Sequence, residues 1–389
     1  MRIALFTDTF FPVVNGVANT VYRSARRLVE MGHDVAVCTV SHLGTEALGS
    51  QTGGGITVYT LPSANALIYK EARVTYPGGF SKKFMRAFAP DVIHTHSPIL
   101  VGMEAIWSAE ALHVPLVGTH HTFFDHYLKH IFLDYSWARR LSWKGTVWYY
   151  NHCDAVTSPT RSLAEGLRTN GLKKEPLIVP NPVETEFFAP AVSPTVKAEL
   201  KARFGIGGAA LVYMGRLSYE KSIDLVIKAL ATVVQSKPDT ALLVIGDGPE
   251  RDGLERLAAT LGVADRVIFT GYLLGAPLVE ALQAGDIFVL GSKSENMPLA
   301  VLEAMAAGLP IVSVASLGMR EIVRNGENGF LLAPDNPDQM ARCLIQLIDD
   351  TPKRRCLAQA SRELAEKYSA VSFAQQLIDI YAGAIAAHA

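Results

Sequence analysis

Short, continuous apolar runs alternate with stretches of helical periodicity along most of the chain. The first run, Arg2–Phe6, precedes a polar loop, a helical pattern over Val17–Met31 and a second run at Asp34–Val40. Strands that are apolar on both faces and separated by helices are typical of parallel sheets with crossover connections. The pattern therefore predicts an α/β fold whose ligands bind in loops beyond the carboxyl ends of the strands.

The same alternation occurs twice, on either side of a charged helix predicted over Val192–Gly208. A chain of 389 residues is also longer than one hydrophobic core usually supports. We therefore expect two Rossmann-like domains, 1–187 and 188–370, followed by a helix at 371–389. The further strands that we expect are Val92–His96, Leu116–Thr119, Ala155–Thr157, Leu177–Val179, Ala210–Met214, Leu242–Ile245, Val267–Phe269, Ile287–Leu290 and Ile311–Val314.

Composition and charge exclude several classes of protein. The net charge of −1 argues against a nucleic-acid partner bound on a broad basic surface. The four cysteines have no metal-ligand spacing, so we expect a reduced, cytoplasmic setting. We expect no signal peptide, because Thr7 and Asp8 interrupt the first apolar run, and no continuous apolar stretch long enough to span a membrane. Ten of the eleven histidines precede residue 186, which favours the first half for proton chemistry.

The strongest local signal is the segment 294–310, which directly follows a predicted strand. It places two carboxylates eight residues apart, Glu295 in a loop and Glu303 inside the next helix. Vicinal sugar hydroxyls are good donors to a carboxylate, and the free N–H groups near Leu299 and Ala300 at the helix start can bind a phosphate. The alternative is an ordinary helix with one glutamate at its start and another on its solvent face.

This segment resembles the E-x7-E motif of the retaining glycosyltransferases of family four, which have the GT-B fold. Other segments are similar to motifs of the same family, and these are 12–17 (PVVNGV), 179–183 (VPNPV), 214–221 (MGRLSYEK) and 245–249 (IGDGP). The resemblance implies an acceptor-binding N-terminal domain and a nucleotide-sugar-binding C-terminal domain, with parallel sheets facing a central cleft. It also implies that the C-terminal helix packs back on the N-terminal domain.

The resemblance assigns the donor diphosphate to Arg216 and Lys221. A departing nucleotide diphosphate gains negative charge as the glycosidic bond breaks, so two fixed cations that meet this charge lower the barrier. We therefore expect a transfer that needs no metal and no cofactor, and no DxD motif lies in a suitable loop. The alternative is that both residues are surface cations on a loop.

By the same resemblance, Glu295 contacts the transferred sugar and Glu303 the nucleotide ribose. Gly16 would let the backbone approach the phosphate, although a simple turn glycine is the alternative. Tyr272 and Leu273 would lie beside the base, or serve as an ordinary loop aromatic and its neighbour. The full set implied to bind the donor is Gly16, Val17, Asp247, Tyr272, Leu273, Asn296, Leu299, Ala300 and Glu303.

A second signal, the segment 117–127 (VGTHHTFFDHY), follows a predicted strand of the first half. His121 matches the family's histidine near the anomeric centre of the donor, which makes it a catalytic candidate with Arg216, Lys221 and Glu295. The residues implied to bind the acceptor are His120, Asp125 and Tyr127. The alternative for the two histidines is a structural role with satisfied hydrogen bonds.

Together with residues 94–98 (HTHSP), this segment is most similar to the diacylglycerol glucosyltransferases. That similarity implies UDP-glucose as donor, 1,2-diacylglycerol as acceptor and a peripheral position on the inner face of the cell membrane. Two predicted helices, 79–89 and 128–150, combine aromatic and basic residues that suit a membrane interface. The phenylalanines of the first helix would equally pack on the sheet.

Three departures from the family pattern occur. Ser222 stands where many members have glycine, and Pro182 and Pro298 also replace common glycines. Those at Ser222 and Pro298 alter backbone freedom close to the proposed donor site and leave the donor open, whereas the one at Pro182 would stiffen the hinge between the domains. The alternative within the class is a GDP-mannose-dependent mannosyltransferase acting on phosphatidylinositol or a soluble acceptor. Outside it, the alternatives are a nucleotide-sugar epimerase and a sugar-nucleotide sensor without catalytic activity.

Overall fold

The computed structural model describes residues 1–11, 15–41, 50–65, 73–76, 78–98, 100–122 and 135–388. The chain divides into two compact units, the first formed by Met1–Pro182 with Ala370–Ala389 and the second by Val183–Ser369. The division comes after Pro182, whereas the sequence places it after residue 187. The reason is that the Val183 N–H donates to the Tyr368 carbonyl at 2.8 Å, and Val183 pairs with Ser369 in a parallel bridge.

The first unit is built on a sheet with β1 (Arg2–Phe6) at its centre. The other strands of its described part are β2 (Asp34–Val40), β3 (Ser50–Gly53), β4 (Ile56–Leu61), β5 (Ser63–Asn65), β6 (Arg73–Thr75), β7 (Val92–Thr95), β8 (Leu116–Thr119), β9 (Ala155–Ser158) and β10 (Leu177–Ile178). The sheet has the order β10-β9-β8-β7-β1-β2-β4-β3, and its pairs are parallel except β3–β4. Strands β5 and β6 pair separately as an antiparallel hairpin.

The helices of the first unit include one from the end of the chain. The described helices are α1 (Gly16–Glu30), α2 (Ser81–Phe88), α3 (Leu100–Leu112), α4 (Ser136–Tyr150), α5 (Arg161–Thr169) and the C-terminal helix (Ala370–His388). The C-terminal helix shares a hydrophobic cluster with α1 and the sheet through Phe373, Leu377 and Tyr381. Among the described residues, this helix is the one that is long and apolar enough to cross a membrane. The apolar pattern of the sequence, in contrast, predicts no stretch of that length. The buried face of the C-terminal helix packs as a core helix does.

The second unit has a fully parallel sheet in the order β13-β12-β11-β14-β15-β16. Its strands are β11 (Ala210–Met214), β12 (Ala241–Ile245), β13 (Val267–Gly271), β14 (Ile287–Leu290), β15 (Ile311–Val314) and β16 (Gly329–Leu332). Its helices are α6 (Pro194–Arg203), α7 (Ile223–Ser236), α8 (Arg251–Thr260), α9 (Ala276–Ala284), α10 (Leu299–Ala306), α11 (Met319–Ile322), α12 (Pro337–Asp349) and α13 (Thr351–Glu366). Single 3-10 turns lie at Tyr219–Lys221 and Ala264–Arg266.

The expected α/β class with two Rossmann-like sheets is confirmed by these topologies. In the second unit the strand order reverses between β11 and β14, and in the first between β1 and β7. Loops that follow the two strands at such a switch point diverge to opposite faces and leave a crevice at the carboxyl edge. The residues that the sequence singles out follow β11, β14, β7 and β8, and Asp8 follows β1.

Candidate functional site

The loop after β11 carries both cations implied to bind a diphosphate. Gly215 has a φ of +154°, a conformation that glycine adopts far more readily than other residues. Arg216 follows it and is exposed, and its carbonyl accepts a hydrogen bond of 3.1 Å from the Tyr213 hydroxyl. Ser222 closes the loop in the left-handed region with a φ of +48°. This conformation explains why glycine is common at that position in the family that the loop resembles.

Lys221 and Glu295 meet across the switch point of the second sheet. Lys221 Nζ lies 2.7 Å from Glu295 Oε1, and the glutamate side chain is only 7% exposed. The main-chain carbonyl of Glu295 accepts hydrogen bonds from the Gly318 N–H at 3.1 Å and from the Ser316 hydroxyl at 3.2 Å. The Glu295 loop is therefore fixed on both sides, by the lysine and by the loop after β15.

Helix α10 begins immediately after this loop, with Pro298 as its N-cap residue. Within the described part of the chain, the amide N–H groups of Leu299 and Ala300 donate no hydrogen bond. Such groups, with the helix dipole, are suited to an anion. Glu303 lies further along the same helix and is buried, at 6% exposure. The structure thus places both glutamates of the motif and the open helix start at one edge of the sheet.

Asp247 and Tyr272 come from the loops after β12 and β13 and contact each other. The Tyr272 hydroxyl donates to the Asp247 carbonyl at 3.0 Å, while the tyrosine side chain is 67% exposed. The Asp247 carboxylate accepts from the Gly248 N–H at 2.8 Å and from Arg251 at 3.3 Å. These bonds orient the Asp247 carboxylate, whereas Tyr272 presents an open aromatic face. Leu273 is half-buried against the core.

Four histidines of the first unit gather where β7 and β8 end. His96 Nδ1 lies 2.9 Å from His121 Nε2, and the two rings stack with centroids 5.2 Å apart. The His94 ring lies 4.2 Å from that of His96 and is held by Tyr381 and Thr119 at 2.7 and 2.6 Å. His120 is fully buried beside the Tyr150 ring. His121 itself is half-buried.

Burial keeps these four histidines neutral. Desolvation lowers the pKa of His121 to about 4 and the pKa of His94 and of His120 to about 3. It also lowers the pKa of His96 well below its usual range, and repulsion from His94 and His121 adds to that effect. At neutral pH the cluster therefore offers hydrogen bonds rather than positive charge.

Asp8 lies at the switch point of the first sheet, outside the motifs that the sequence singles out. The Ser97 hydroxyl donates to the Asp8 carboxylate at 2.7 Å, and the Asp8 N–H donates to Ser97 Oγ at 3.1 Å. Burial raises the pKa of this carboxyl group. Asp8 and the buried His96 could have been found from one signal, since each follows a strand at the point where the strand order reverses.

Gly16 and Val17 form the first turn of α1, which Asn15 caps by accepting from the Ala18 N–H at 2.8 Å. A Cβ atom added at Gly16 would meet no atom of the described residues within 4 Å, and Gly16 has no positive φ. Neither packing against the described residues nor backbone geometry therefore requires glycine here. The predicted acceptor residues Asp125 and Tyr127 lie outside the described residues.

Helix α4 presents an exposed aromatic and basic surface, here called the α4 outer face. Its residues share one side of the helix, are all exposed, and are Trp137, Arg140, Leu141, Lys144 and Trp148. By contrast, α2 packs most of its aromatic side chains on the first unit. Phe84 stacks on Tyr59 at 4.5 Å and Phe88 lies against the core, so only Phe80 of the three phenylalanines is exposed.

Two family models match the chain. Glycosyltransferase Family 4 matches residues 14–187, and Glycosyl transferases group 1 matches residues 197–364. The alpha-monoglucosyldiacylglycerol synthase of Streptococcus pneumoniae is 29% identical, covering 99% of this chain and 86% of its own. The sulfoquinovosyl transferase of Arabidopsis thaliana is 30% identical, covering 94% of this chain and 70% of its own. The chain belongs to the group 1 and family 4 glycosyltransferases.

Two further similarities are to a curated relative and to a solved structure. A GDP-mannose-dependent alpha-mannosyltransferase of Mycolicibacterium smegmatis is 28% identical, covering 86% of this chain and 85% of its own. The crystal structure of Anabaena HepE in complex with UDP superposes with a TM-score of 0.79 at 20% identity, covering 98% of this chain and all of that chain. The glycosyltransferase therefore has the GT-B fold that its motifs imply.

The predicted residues of the glycosyltransferase fall into two groups by unit. Arg216, Lys221, Glu295, Glu303 and their neighbours lie at the carboxyl edge of the second sheet, within the group 1 match. Gly16, His120 and His121 lie in the first unit, within the family 4 match. Among the described residues, no group of three or more histidine, cysteine, aspartate or glutamate side chains is arranged to hold a metal ion.

Proposed function

We propose that this glycosyltransferase transfers glucose from UDP-glucose to a membrane lipid acceptor such as 1,2-diacylglycerol, with retention at the anomeric carbon and without a metal ion. The observation that carries the proposal is the Lys221–Glu295 pair at the switch point of the second sheet. It joins a cation suited to phosphate and a carboxylate suited to sugar hydroxyls. The open start of α10 directly follows the pair along the chain.

Binding of the diphosphate is proposed for Arg216, Lys221 and the N–H groups at the start of α10. Each of these groups strengthens its interaction as negative charge develops on the departing diphosphate, which lowers the barrier to transfer. A divalent cation would perform the same task in other enzymes. With two cations and a helix start available, we propose that the metal is dispensable.

Contact with the sugar is proposed for Glu295 and His121. The Glu295 loop is fixed by Lys221, Ser316 and Gly318, so its carboxylate is already oriented before a donor binds. His121 is neutral at physiological pH, which suits it to hydrogen bonding with a sugar oxygen. We assign no covalent nucleophile. We propose that the acceptor hydroxyl attacks the face of the sugar from which the phosphate departs, and that the departing phosphate accepts the proton of this hydroxyl.

The lipid acceptor is supported by the α4 outer face and by one of the relatives. Two exposed indoles, a leucine and two cations on one helix face suit the interface of an anionic membrane. The relative from Streptococcus pneumoniae is named as a synthase of monoglucosyldiacylglycerol. We therefore propose a cytoplasmic protein that binds peripherally to the inner face of the cell membrane.

A turnover screen tests the proposal. The purified protein would be incubated with UDP-glucose, UDP-galactose or GDP-mannose, with and without diacylglycerol in anionic vesicles. Each reaction would be run in plain buffer, with EDTA and with added Mg²⁺. Free nucleotide diphosphate and glycolipid would both be measured, and the anomeric configuration of the product would be read by NMR. We expect an α-glucolipid from UDP-glucose at the same rate with and without EDTA.

Each other outcome corrects a different part of the proposal. Turnover that requires added Mg²⁺ would contradict the metal-independent transfer, and a β-linked product would contradict retention. Product from GDP-mannose alone would favour the alternative function, a mannosyltransferase, for which the 28% identical mycobacterial relative gives the specific support. Donor cleavage without formation of glycolipid would indicate that the acceptor is a soluble molecule and not a lipid.

A further inference from the structure

The contact between His96 and His121 places a restriction on where their protons lie. His96 Nδ1 and His121 Nε2 are 2.9 Å apart, so exactly one of these two nitrogens carries the hydrogen between them when both rings are neutral. Burial lowers the pKa of both rings far enough to keep them neutral at pH 7. Two arrangements of the protons are then possible, and they differ in whether His121 Nδ1 donates or accepts a hydrogen bond.

In the first arrangement His96 donates from Nδ1, and His121 carries its own hydrogen on Nδ1. In the second, His121 donates from Nε2, and its Nδ1 is a bare acceptor. The second arrangement also leaves an N–H on His96 Nε2, a buried atom that has no hydrogen-bond partner among the described residues. A buried N–H without a partner is rarer than a buried acceptor without one. The first arrangement is therefore the more stable.

The position of His96 is fixed independently of His121. Its backbone N–H donates to the Phe6 carbonyl at 2.8 Å, which ties it to the end of β1. Its ring packs against the His94 ring at 4.2 Å, and His94 is itself held at both nitrogens by Tyr381 and Thr119. His96 is 4% exposed, so no solvent rearrangement competes with its bond to His121.

We propose that His96 is a positioning residue that holds His121 in the Nδ1–H tautomer, so that His121 donates a hydrogen bond to an oxygen atom of its ligand. This inference rests on the proposed role of His121 in contacting the sugar. It makes that role more specific, because an N–H group at His121 Nδ1 donates a hydrogen bond to a sugar oxygen and cannot take a proton from the acceptor hydroxyl. Which nitrogen of an imidazole carries the proton is set by the hydrogen bond that its other nitrogen makes.

Histidine tautomers are measured directly by two-bond ¹⁵N–¹H correlation NMR of protein labelled at histidine nitrogen. The His121 signals would be assigned by their loss in His121→Asn. We expect the Nδ1–H pattern for His121 in the ligand-free wild-type protein. An Nε2–H pattern overturns the proposal, and this result needs neither a donor nor turnover, so it is separate from any failure of the proposed function.

Two substitutions of His96 then separate positioning from packing. His96→Leu removes the donor, and we expect kcat to fall by about 10- to 100-fold, the scale of a misplaced reacting group, with the tautomer of His121 no longer fixed. His96→Asn returns an amide donor near the position of Nδ1 and should restore most of kcat and the Nδ1–H pattern. His113→Asn, at an exposed position with a φ of +52°, is the control, since asparagine tolerates that conformation.

The outcomes of these substitutions are decisive in both directions. Unchanged kcat and an unchanged His121 tautomer in a folded His96→Leu protein would overturn the proposal. Equal loss in His96→Leu and His96→Asn, with the tautomer of His121 intact in both, would show a packing role and also overturn it. If His96→Leu does not fold, the wild-type tautomer and the His96→Asn protein still decide the question.

Discussion

Lys221 Nζ and Glu295 Oε1 are joined by a 2.7 Å ion pair between the loops that follow two adjacent strands, β11 and β14. The pair links the residue proposed to bind the diphosphate to the residue proposed to contact the sugar. The Glu295 carboxylate is only 7% exposed. Removal of the lysine would therefore leave a nearly buried negative charge without its cation. The two side chains therefore act as one unit, and substitutions of them should not be additive.

Replacing Lys221 by Ala should lower kcat by about 100-fold or more, because one contact that strengthens in the transition state is lost. Glu295→Gln should give a loss of similar scale, and the double variant should be little worse than either single one. Initial rates of nucleotide diphosphate release measure this. The matched control is Lys228→Ala, whose exposed partner is Asp224 at 2.8 Å. Near-normal rates in both single variants would contradict the site.

Gly318 should be needed for the geometry of Glu295 rather than for the fold. A Cβ atom at Gly318 would lie 1.3 Å from the Asn296 carbonyl oxygen, so alanine must displace the loop that carries Glu295. We expect Gly318→Ala to reduce kcat/KM by at least about 10-fold, as displaced reacting groups do. Gly253→Ala in α8 is the control, since its Cβ would meet only a flexible arginine end at 4.0 Å. Equal kcat/KM in the two variants would argue against a constrained loop.

The sequence predicts fully apolar strands better than strands of mixed or polar composition. Arg2–Phe6, Asp34–Val40 and Ala210–Met214 have the predicted bounds, because strands that are buried on both faces need continuous apolar runs. The short strands β3 (SQTG), β5 (SAN) and β6 (RVT) contain no such run and are missed. Their pairing partners, and not their own composition, make them strands.

The residues of the candidate site also divide into those that local sequence predicts and those that it misses. Glu295 and Lys221 are found from local motifs, and their contact follows from the strand order once β11 and β14 are known to be neighbours. His96 is missed as a site residue because its partner lies 25 residues away, and Tyr381 because it is 287 residues from His94. No local pattern encodes contacts that depend on how distant elements pack.

Acid should destabilise the first unit through its buried histidines. The pKa of His94 is lowered from 6.5 to about 3 and that of His121 from 6.5 to about 4, so the unfolded chain binds these protons first as the pH falls. Stability is therefore fully present above pH 6.5 and declines between pH 6.5 and the folded pKa, by at most about 1.4 kcal/mol per pH unit for each histidine.

Urea unfolding of the first unit at pH 7.5 and at pH 5.5 measures this effect. His121→Asn should show a smaller decline than the wild-type protein, because one titrating group is gone. His113→Asn, which changes an exposed histidine outside the buried cluster, is the control. A stability that stays constant down to pH 5 would show that the four rings are not held neutral by burial.

The α4 outer face should determine binding to anionic vesicles. We expect the triple variant Trp137→Ala, Leu141→Ala and Trp148→Ala to bind at least about 10-fold more weakly in a flotation assay, because buried apolar area is lost from the interface. Arg140→Ser with Lys144→Ser should weaken binding only to anionic vesicles, by about 1 kcal/mol per charge at low salt. Val192→Ala, at 90% exposure in the second unit, is the control. Unchanged flotation of the triple variant would contradict the membrane role of this face.

Glu104 should stabilise the first unit through a buried carboxylate that caps α2 from outside the helix. Its two oxygens accept from the backbone N–H groups of Gly78, Gly79 and Ser81 at 2.7, 2.6 and 3.0 Å, and from the Ser81 hydroxyl at 2.7 Å. An amide at this position has one acceptor oxygen and an NH₂ group that would face these donors. We expect Glu104→Gln to lower the free energy of unfolding by about 2–4 kcal/mol, because bonds to a charged acceptor are lost and buried donors are left unpaired.

Urea unfolding at pH 7 checks this value against Glu110→Gln, which changes an exposed glutamate of the same helix and should have little effect. The loss in Glu104→Gln should appear with kcat largely retained at low temperature, because none of the described residues that bond to Glu104 is proposed to bind donor or acceptor. If Glu104→Gln is as stable as Glu110→Gln, the four hydrogen bonds contribute no net stability, and α2 must be held by the packing of Met85 and Phe84 alone.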